Sequence, residues 1–95
     1  MSFSGKPLWK EEYEVEALVA EEEKRILVLH NDDVNTFDFV IESLIEVCDH
    51  TVEQAEQCTW LVHYKGKCDV KSGSFDFLEP MCVELLHRGL SAEIV

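Results

Sequence analysis

Residues 25–45, RILVLHNDDVNTFDFVIESLI, contain the strand, turn and helix that decide the fold. The opening run, RILVLH, is short, mostly apolar and bounded by polar clusters, as is typical of a buried strand. The polar residues Asn31, Asp32 and Asp33 then end the run. Behind Thr36, apolar residues recur at helical spacing: Phe37, Val40, Ile41, Leu44, Ile45 and Cys48. Because Thr36 suits a helix N-cap, the pattern predicts a strand, a polar turn and an amphipathic helix.

A second helix is predicted to begin after Thr51, because Gln54 stands where it completes a capping box. Small and apolar residues lie on one face of this helix at Ala55, Cys58, Thr59 and Val62. Gly66 then supplies the left-handed residue that commonly ends a helix. The two predicted helices therefore form a hairpin.

The last third of the chain predicts a short strand over residues 68–71, a third helix and a final strand over residues 90–95. The third helix begins at either Ser74 or Glu79. Pro80 favours the later start, because proline fits the first turn of a helix but not its interior. The resulting order, β-α-α-β-α-β, predicts a single small α+β domain with its helices packed on one face of a three-stranded antiparallel sheet.

The charge distribution separates the beginning of the chain from the rest. Residues 1–22 are rich in glutamate, and we predict a flexible acidic N-terminal extension followed by a folded domain over residues 23–95. The whole chain carries 8 Lys and Arg against 20 Asp and Glu, a formal charge of −12, so nucleic acid and anionic membranes are poor partners. With no apolar run near the roughly 20 residues that span a bilayer and no signal sequence, we expect a cytoplasmic protein.

The cysteines give little support for metal or redox chemistry. The four are Cys48, Cys58, Cys68 and Cys82, with no C-x-x-C pair. The spacing of Cys58, His63 and Cys68 permits a thiol or metal site, although ligand pairs usually stand two to four residues apart. Buried helical positions for Cys48, Cys58 and Cys82 are the preferred interpretation, and no metal or cofactor is expected.

The residues best suited to binding chemistry are Asn31, Asp32 and Asp33. Such residues are common in turns, where they bond their own backbone. They also form an acceptor surface that suits a primary ammonium group with its three donors. His63, at the end of the second helix, either complements the helix dipole or adds another acceptor. An enzyme with Asp33 orienting His63 as a base is conceivable, but no nucleophile elbow or phosphate loop accompanies it. We therefore expect no catalytic residues.

Three segments together carry a family resemblance. LVLHNDD at residues 27–33, FDFVIESL at residues 37–44 and LVHYKGK at residues 61–67 resemble the ClpS family, the adaptors of ATP-dependent Clp proteases. The resemblance extends from about Lys24 to Val95 and implies a ClpS-like fold, similar to the C-terminal domain of the ribosomal stalk protein L7/L12. It implies an adaptor without enzymatic activity that serves the N-end rule, binding substrate proteins that begin with Leu, Phe, Tyr or Trp. Its other partner would be a ClpA- or ClpC-type AAA+ unfoldase.

The resemblance also implies roles for individual residues. Asn31, Asp33 and His63 would hold the substrate's α-amino group, while Asp32 shapes the turn. The apolar first side chain would enter a pocket lined by Asn35, Thr36, Phe37, Val40, Thr59, Val62 and Leu90. Asp76 would contribute to unfoldase docking.

Two positions depart from the family pattern. Phe37 stands where many members have methionine at the pocket mouth, and Met81 replaces a lysine associated with unfoldase docking. Two alternatives to the adaptor remain open at this point. One is an interaction domain like that of the ribosomal stalk protein, and the other is a thiol or metal enzyme.

Overall fold

The computed structural model describes residues 24–95. The elements are β1 (Arg25–His30), α1 (Phe37–Cys48), α2 (Val52–Lys65), β2 (Lys67–Gly73), α3 (Phe75–His87) and β3 (Ser91–Ile94). The predicted β-α-α-β-α-β order is confirmed. The predicted extension over residues 1–22 lies outside the described residues, so its boundary stays a prediction. Within the described part of the chain, no helix is both long enough and apolar enough to cross a membrane.

Strand β1 lies in the middle of the sheet and pairs antiparallel with both neighbours, in the order β2-β1-β3. Since alternate residues of a strand point to opposite faces, Leu27 and Leu29 face the same side. Both are buried in one core cluster with residues from all three helices. The helices therefore cover this face, and the predicted α+β architecture is confirmed.

Local capping explains where the first two helices begin and end. The hydroxyl of Thr36 accepts a hydrogen bond from the Phe39 N–H at 3.1 Å, as an N-cap does. Thr51 and Gln54 form the predicted capping box, with reciprocal bonds of 3.1 and 2.9 Å. Gly66 ends α2 in the left-handed region at φ 93°. These boundaries matter because they fix which residues stand at the two ends of the helical hairpin.

Strand β2 is longer than the predicted residues 68–71 and contains a bulge. Leu27 pairs with Lys71 and Val28 with Asp69, which leaves Val70 as the extra residue. The Val70 carbonyl accepts a 2.7 Å hydrogen bond from the His50 ring in the loop between α1 and α2. The bulge is therefore joined to the loop of the helical hairpin, and the strand continues beyond it to Gly73.

Helix α3 corrects the expectation that Pro80 delays its start. The helix begins at Phe75, with the Ser74 hydroxyl accepting from the Phe77 N–H at 3.2 Å. Pro80 consequently lies inside the helix, where it cannot donate a backbone hydrogen bond to Asp76. The N-cap and the full burial of Leu78 explain why the earlier turn still forms.

Replacing Pro80 with alanine should stabilise the domain. The change restores the missing donor in α3, and after the greater entropy of the unfolded chain is subtracted we expect a gain of about 2 kcal/mol. The free energy of unfolding would be measured by urea titration. Glu79→Ala, at the neighbouring exposed position, is the control and should change stability by roughly 0.5 kcal/mol or less. A Pro80→Ala variant no more stable than the parent would contradict the interior placement.

Candidate functional site

An open cavity of about 360 Å³, counting the space at its mouth, lies where β1 ends and α1 begins. Its lining residues are Leu29, His30, Asn31, Asp32, Asn35, Phe37, Val40, Thr59, Val62, His63 and Leu90. The structure thus brings together most of the site residues proposed from sequence. Asp33 and Thr36 are absent from the lining, while Leu29 and His30 were not anticipated.

The floor of the cavity is apolar. Val40, Val62 and Leu90 are buried there, together with Leu29. The buried hydroxyl of Thr59 donates to the Ala55 carbonyl one turn earlier, at 2.7 Å. Because this hydroxyl is already satisfied within α2, the floor is suited to an apolar side chain.

One wall of the cavity is polar and combines residues from β1 and α2. The Asn31 N–H donates to the Gly66 carbonyl at 2.9 Å, and the Gly66 N–H donates to the Val62 carbonyl at 3.0 Å. These two bonds join the end of β1 to the last turn of α2. As a result the exposed side chains of Asn31 and His63 line the same cavity.

The turn after β1 is organised around Asp32. Its Oδ1 accepts hydrogen bonds from the backbone N–H groups of Val34 and Asn35, both at 2.9 Å. The Asn35 side-chain amide also approaches both carboxylate oxygens at 3.1 Å. Burial acts to raise the pKa of Asp32, but the hydrogen bonds from Asn35 and Val34 outweigh it and hold that pKa below its ordinary value. The carboxylate is therefore occupied in shaping the turn.

Asn35 does more than occupy the rim of the cavity. Its Nδ2 atom donates to the Gly89 carbonyl at 2.9 Å, across a separation of 54 residues in the chain. Gly89 directly precedes Leu90, whose side chain forms part of the cavity floor. Asn35 therefore links the turn that carries Asp32 to the segment that carries the floor. No local signal in the sequence identifies this bond.

The remaining predicted residues lie at or beyond the edge of the cavity. Asp33 is exposed in the turn, directly after Asp32. The Thr36 side chain is engaged in capping α1. Asp76 is exposed in the first turn of α3 and does not line the cavity. The roles assigned to these residues stay predictions.

An aromatic cluster borders the cavity mouth, consisting of Phe37, Trp60, His63 and Tyr64. The half-buried Phe37 ring meets Trp60 edge-on at a centroid distance of 4.8 Å and His63 at 5.4 Å. Trp60 stacks on Tyr64 at 5.0 Å with an interplanar angle of 3°, and Tyr64 meets His63 at 4.9 Å. The spacing of Trp60 and Tyr64, four residues apart on α2, is the sequence signal that could have revealed the stacking of these two rings.

The geometry does not bring Cys58, His63 and Cys68 to one site. Cys58 and Cys68 line a separate cavity beside His50, whereas His63 lines the cavity described above. Burial raises the pKa of both thiols, which keeps them protonated and poorly nucleophilic. Within residues 24–95, no group of three or more His, Cys, Asp or Glu side chains has a metal-binding arrangement. The structure therefore does not bring together the three residues proposed for a thiol or metal site.

Comparisons with known proteins agree on one family. The family described as "ATP-dependent Clp protease adaptor protein ClpS" matches residues 20–93. The ClpS adapter of Treponema denticola is 31% identical over 71 residues, covering 75% of this chain and 69% of that protein. The ClpS adapter of Vibrio atlanticus is 46% identical over 41 residues, 43% of this chain and 39% of that protein.

A solved structure shares the fold. Agrobacterium tumefaciens ClpS2 bound to L-phenylalaninamide superposes with a TM-score of 0.73 at 20% sequence identity. The match covers 77% of this chain and 95% of that chain. At this level of identity the similarity shows the fold alone.

The Asn35 side chain should hold down the pKa of Asp32. We expect the parent Asp32 to titrate below 3.8 and the Asn35→Ala variant to titrate closer to that value, as followed by carboxyl ¹³C NMR. Because the lowered pKa belongs to the folded state, the contribution of this carboxylate to stability is present near neutral pH and is lost as the pH falls through the folded-state pKa.

Asn31→Ala is the matched control, because the Asn31 side chain makes no hydrogen bond to Asp32 in the structure. An Asp32 pKa that is the same in Asn35→Ala as in the parent would refute the assignment.

Proposed function

Because the chain belongs to the ClpS family, the adaptor proteins of ATP-dependent Clp proteases, we propose that it captures substrate proteins by a free N-terminal Leu, Phe, Tyr or Trp. It would then deliver them to a ClpA- or ClpC-type unfoldase in the cytoplasm. An adaptor of this kind binds and positions its cargo and does not act as an enzyme. The observation that carries the proposal is the cavity, which has Asn31 and His63 beside an apolar floor.

The polar wall fits a substrate's α-ammonium group. In a peptide this group ordinarily has a pKa of about 7.7 to 8 and is therefore mostly charged at neutral pH. Its three donors require three acceptors, which the Asn31 side-chain carbonyl, a neutral His63 ring nitrogen and the Asp33 carboxylate can offer. Asn31 and His63 share the wall, and Asp33 is exposed on the same turn. We propose that the ammonium lies at the cavity mouth, between the wall and Asp33.

The apolar floor fits the substrate's first side chain. Burying a large apolar side chain contributes roughly 1.5 to 3 kcal/mol, and each charge-assisted hydrogen bond contributes a similar amount. Their sum is compatible with a micromolar affinity, about −8 kcal/mol, after the costs of ordering the peptide. The ligand of Agrobacterium ClpS2, L-phenylalaninamide, has both parts of this pattern: a free α-amine and an aromatic side chain.

The turn supports binding by being ordered before the substrate arrives. The hydrogen bonds of Asp32 and Asn35 fix the chain between the polar wall and α1. A preformed turn reduces the conformational entropy that binding would otherwise remove. Asp32 therefore acts through the shape of the site and leaves contact with the ammonium to its neighbours.

Delivery to the unfoldase involves other surfaces. We propose that the acidic residues 1–22 form an extension separate from the domain over residues 23–95, and that the extension and the exposed Asp76 contact the unfoldase. Met81, at the position of the lysine in the family pattern, is half-buried against the core and offers no cationic group there. The docking surface of α3 therefore differs chemically from that of typical members.

Binding should require a free α-amine. A peptide that begins with Leu should bind, and its acetylated form should bind at least about 100-fold more weakly, because acetylation removes the charge and two donors. His63→Ala should weaken binding of the free peptide and leave the unfolding free energy nearly unchanged, since His63 is exposed. Fluorescence anisotropy would measure both affinities.

His87→Ala, which changes an exposed histidine outside the cavity, is the matched control and should bind like the parent. Equal affinities for free and acetylated peptides would overturn the proposed function.

Phe37 should restrict which first residues enter the cavity. Its ring is held edge-on by Trp60 and His63, where it would clash with side chains branched at Cβ. Phe37→Ala should raise the affinity for peptides beginning with Ile or Val relative to Leu, and should cost less stability than the roughly 3 to 5 kcal/mol of a core Phe truncation. Peptide titrations and urea unfolding would test both effects.

Phe39→Ala provides the comparison, because Phe39 is also half-buried on α1 but packs against the core and does not line the cavity. It should leave selectivity unchanged. If Phe37→Ala also leaves selectivity unchanged and lowers the free energy of unfolding by the full amount of a core Phe truncation, then Phe37 is a core residue and does not act as a gate.

A further inference from the structure

We propose that Trp60 and Tyr64 form a second subsite, which stacks on the side chain of the substrate's second residue and prefers arginine. The inference rests on the proposed function and specifies its substrate class more closely. Three features of the structure support it: the position of the two rings, their exposure and the charge around them.

The position of the pair makes it continuous with the cavity. Phe37 and His63 both line the cavity, and each is in direct contact with one member of the pair. Trp60 lies 4.8 Å from Phe37, and Tyr64 lies 4.9 Å from His63, measured between ring centroids. Consecutive Cα atoms are about 3.8 Å apart. A peptide that left the cavity past Phe37 and His63 would carry its second side chain toward the pair.

The two rings are exposed and ordered at the same time. Trp60 is 49% exposed, and Tyr64 is 70% exposed. Their parallel stack, 5.0 Å between centroids, holds each ring in one orientation. A planar group can therefore stack on the outer surface of the pair with little further ordering of the protein. Large aromatic side chains exposed beside a cavity mouth are typical of ligand-binding surfaces.

The charge around the pair favours a cation. On a helix with 100° per residue, Glu53 and Glu56 lie within about 40° of Trp60, on the acidic side of the pair. Lys65 directly follows Tyr64 and lies about 140° from Trp60. Guanidinium is planar, positively charged and weakly hydrated, and it stacks on aromatic faces. Arginine therefore satisfies both the shape and the charge of this surface. An acidic second residue would be repelled, and a neutral aromatic one would gain stacking alone.

The test uses free-amine peptides that begin with Leu and differ in one position: arginine second, alanine second, phenylalanine second, or arginine moved to the fifth position. In the parent chain, arginine at the second position should bind about 3- to 10-fold more tightly than alanine at that position, and more tightly than phenylalanine. The peptide with arginine at the fifth position has the same charge as the arginine-second peptide and should bind only slightly more tightly than the alanine-second peptide.

Trp60→Leu should reduce the ratio of the arginine to the alanine affinity to near one, because it keeps an apolar side chain but removes the ring. Leu61→Ala is the control, since Leu61 is a partly exposed residue of α2 outside both the cavity lining and the aromatic cluster. It should preserve the ratio. Because the ratio compares two peptides bound to the same variant, it does not depend on a change in affinity that affects both peptides equally.

Three results would overturn the subsite. These are equal affinities for arginine and alanine at the second position, a ratio that survives Trp60→Leu, and tighter binding of phenylalanine than of arginine. The proposed function fails by a different result, namely equal affinities for the alanine-second peptide and its acetylated form, which is titrated beside the free-amine peptides. The two failures are therefore distinguishable in one set of titrations.

Discussion

The hydrogen bond from the Asn31 N–H to the Gly66 carbonyl is the constraint on which the site depends. It forms where the central strand leaves the sheet, and its acceptor is the residue that ends α2. Gly66 adopts a left-handed conformation that other residues reach only with strain. Gly66 therefore ends α2 and also accepts the hydrogen bond from the residue that follows β1. Together with the pairing of His30 with Lys67 in the sheet, this contact places Asn31 and His63 at one cavity.

A second long-range bond closes the site from the opposite side. Asn35 joins the turn to Gly89, and so brings Leu90 to the cavity floor. The turn is consequently held between α2 on one side and the α3–β3 connection on the other. The sheet contributes rigidity, since β1 is paired along both edges. The candidate site is thus built on a turn that hydrogen bonds join to both neighbouring segments.

Much of the fold could be predicted because its signals are local. Thr36 and Thr51 indicate helix starts through side-chain capping, and Gly66 indicates a helix end through its backbone preference. All three residues occupy these capping positions in the structure. Asp49 shows the limit of such signals: it ends α1 in the left-handed region at φ 60° without being glycine. Pro80 shows another limit, because the core contact of Leu78 and the Ser74 cap outweigh the local cost of an interior proline.

The candidate site was predictable to a smaller extent. The resemblance supplied residues such as Val62 and His63, which the structure indeed places around one cavity. The Asn35–Gly89 bond and the edge-on contact of Phe37 with Trp60 join residues distant in sequence. Such contacts depend on how whole elements pack, so no periodicity or motif could indicate them.

The cavity is lined by three segments that lie far apart in the sequence. Ligand binding and folding are therefore thermodynamically linked. The lining comes from residues 29–40, residues 59–63 and Leu90, so an unfolded chain has no binding site. A ligand bound only by the native state adds RT ln(1 + [L]/Kd) to its stability, about 2.7 kcal/mol when the ligand concentration is 100 times Kd. The domain with a ligand bound would therefore unfold at a higher urea concentration than the empty domain.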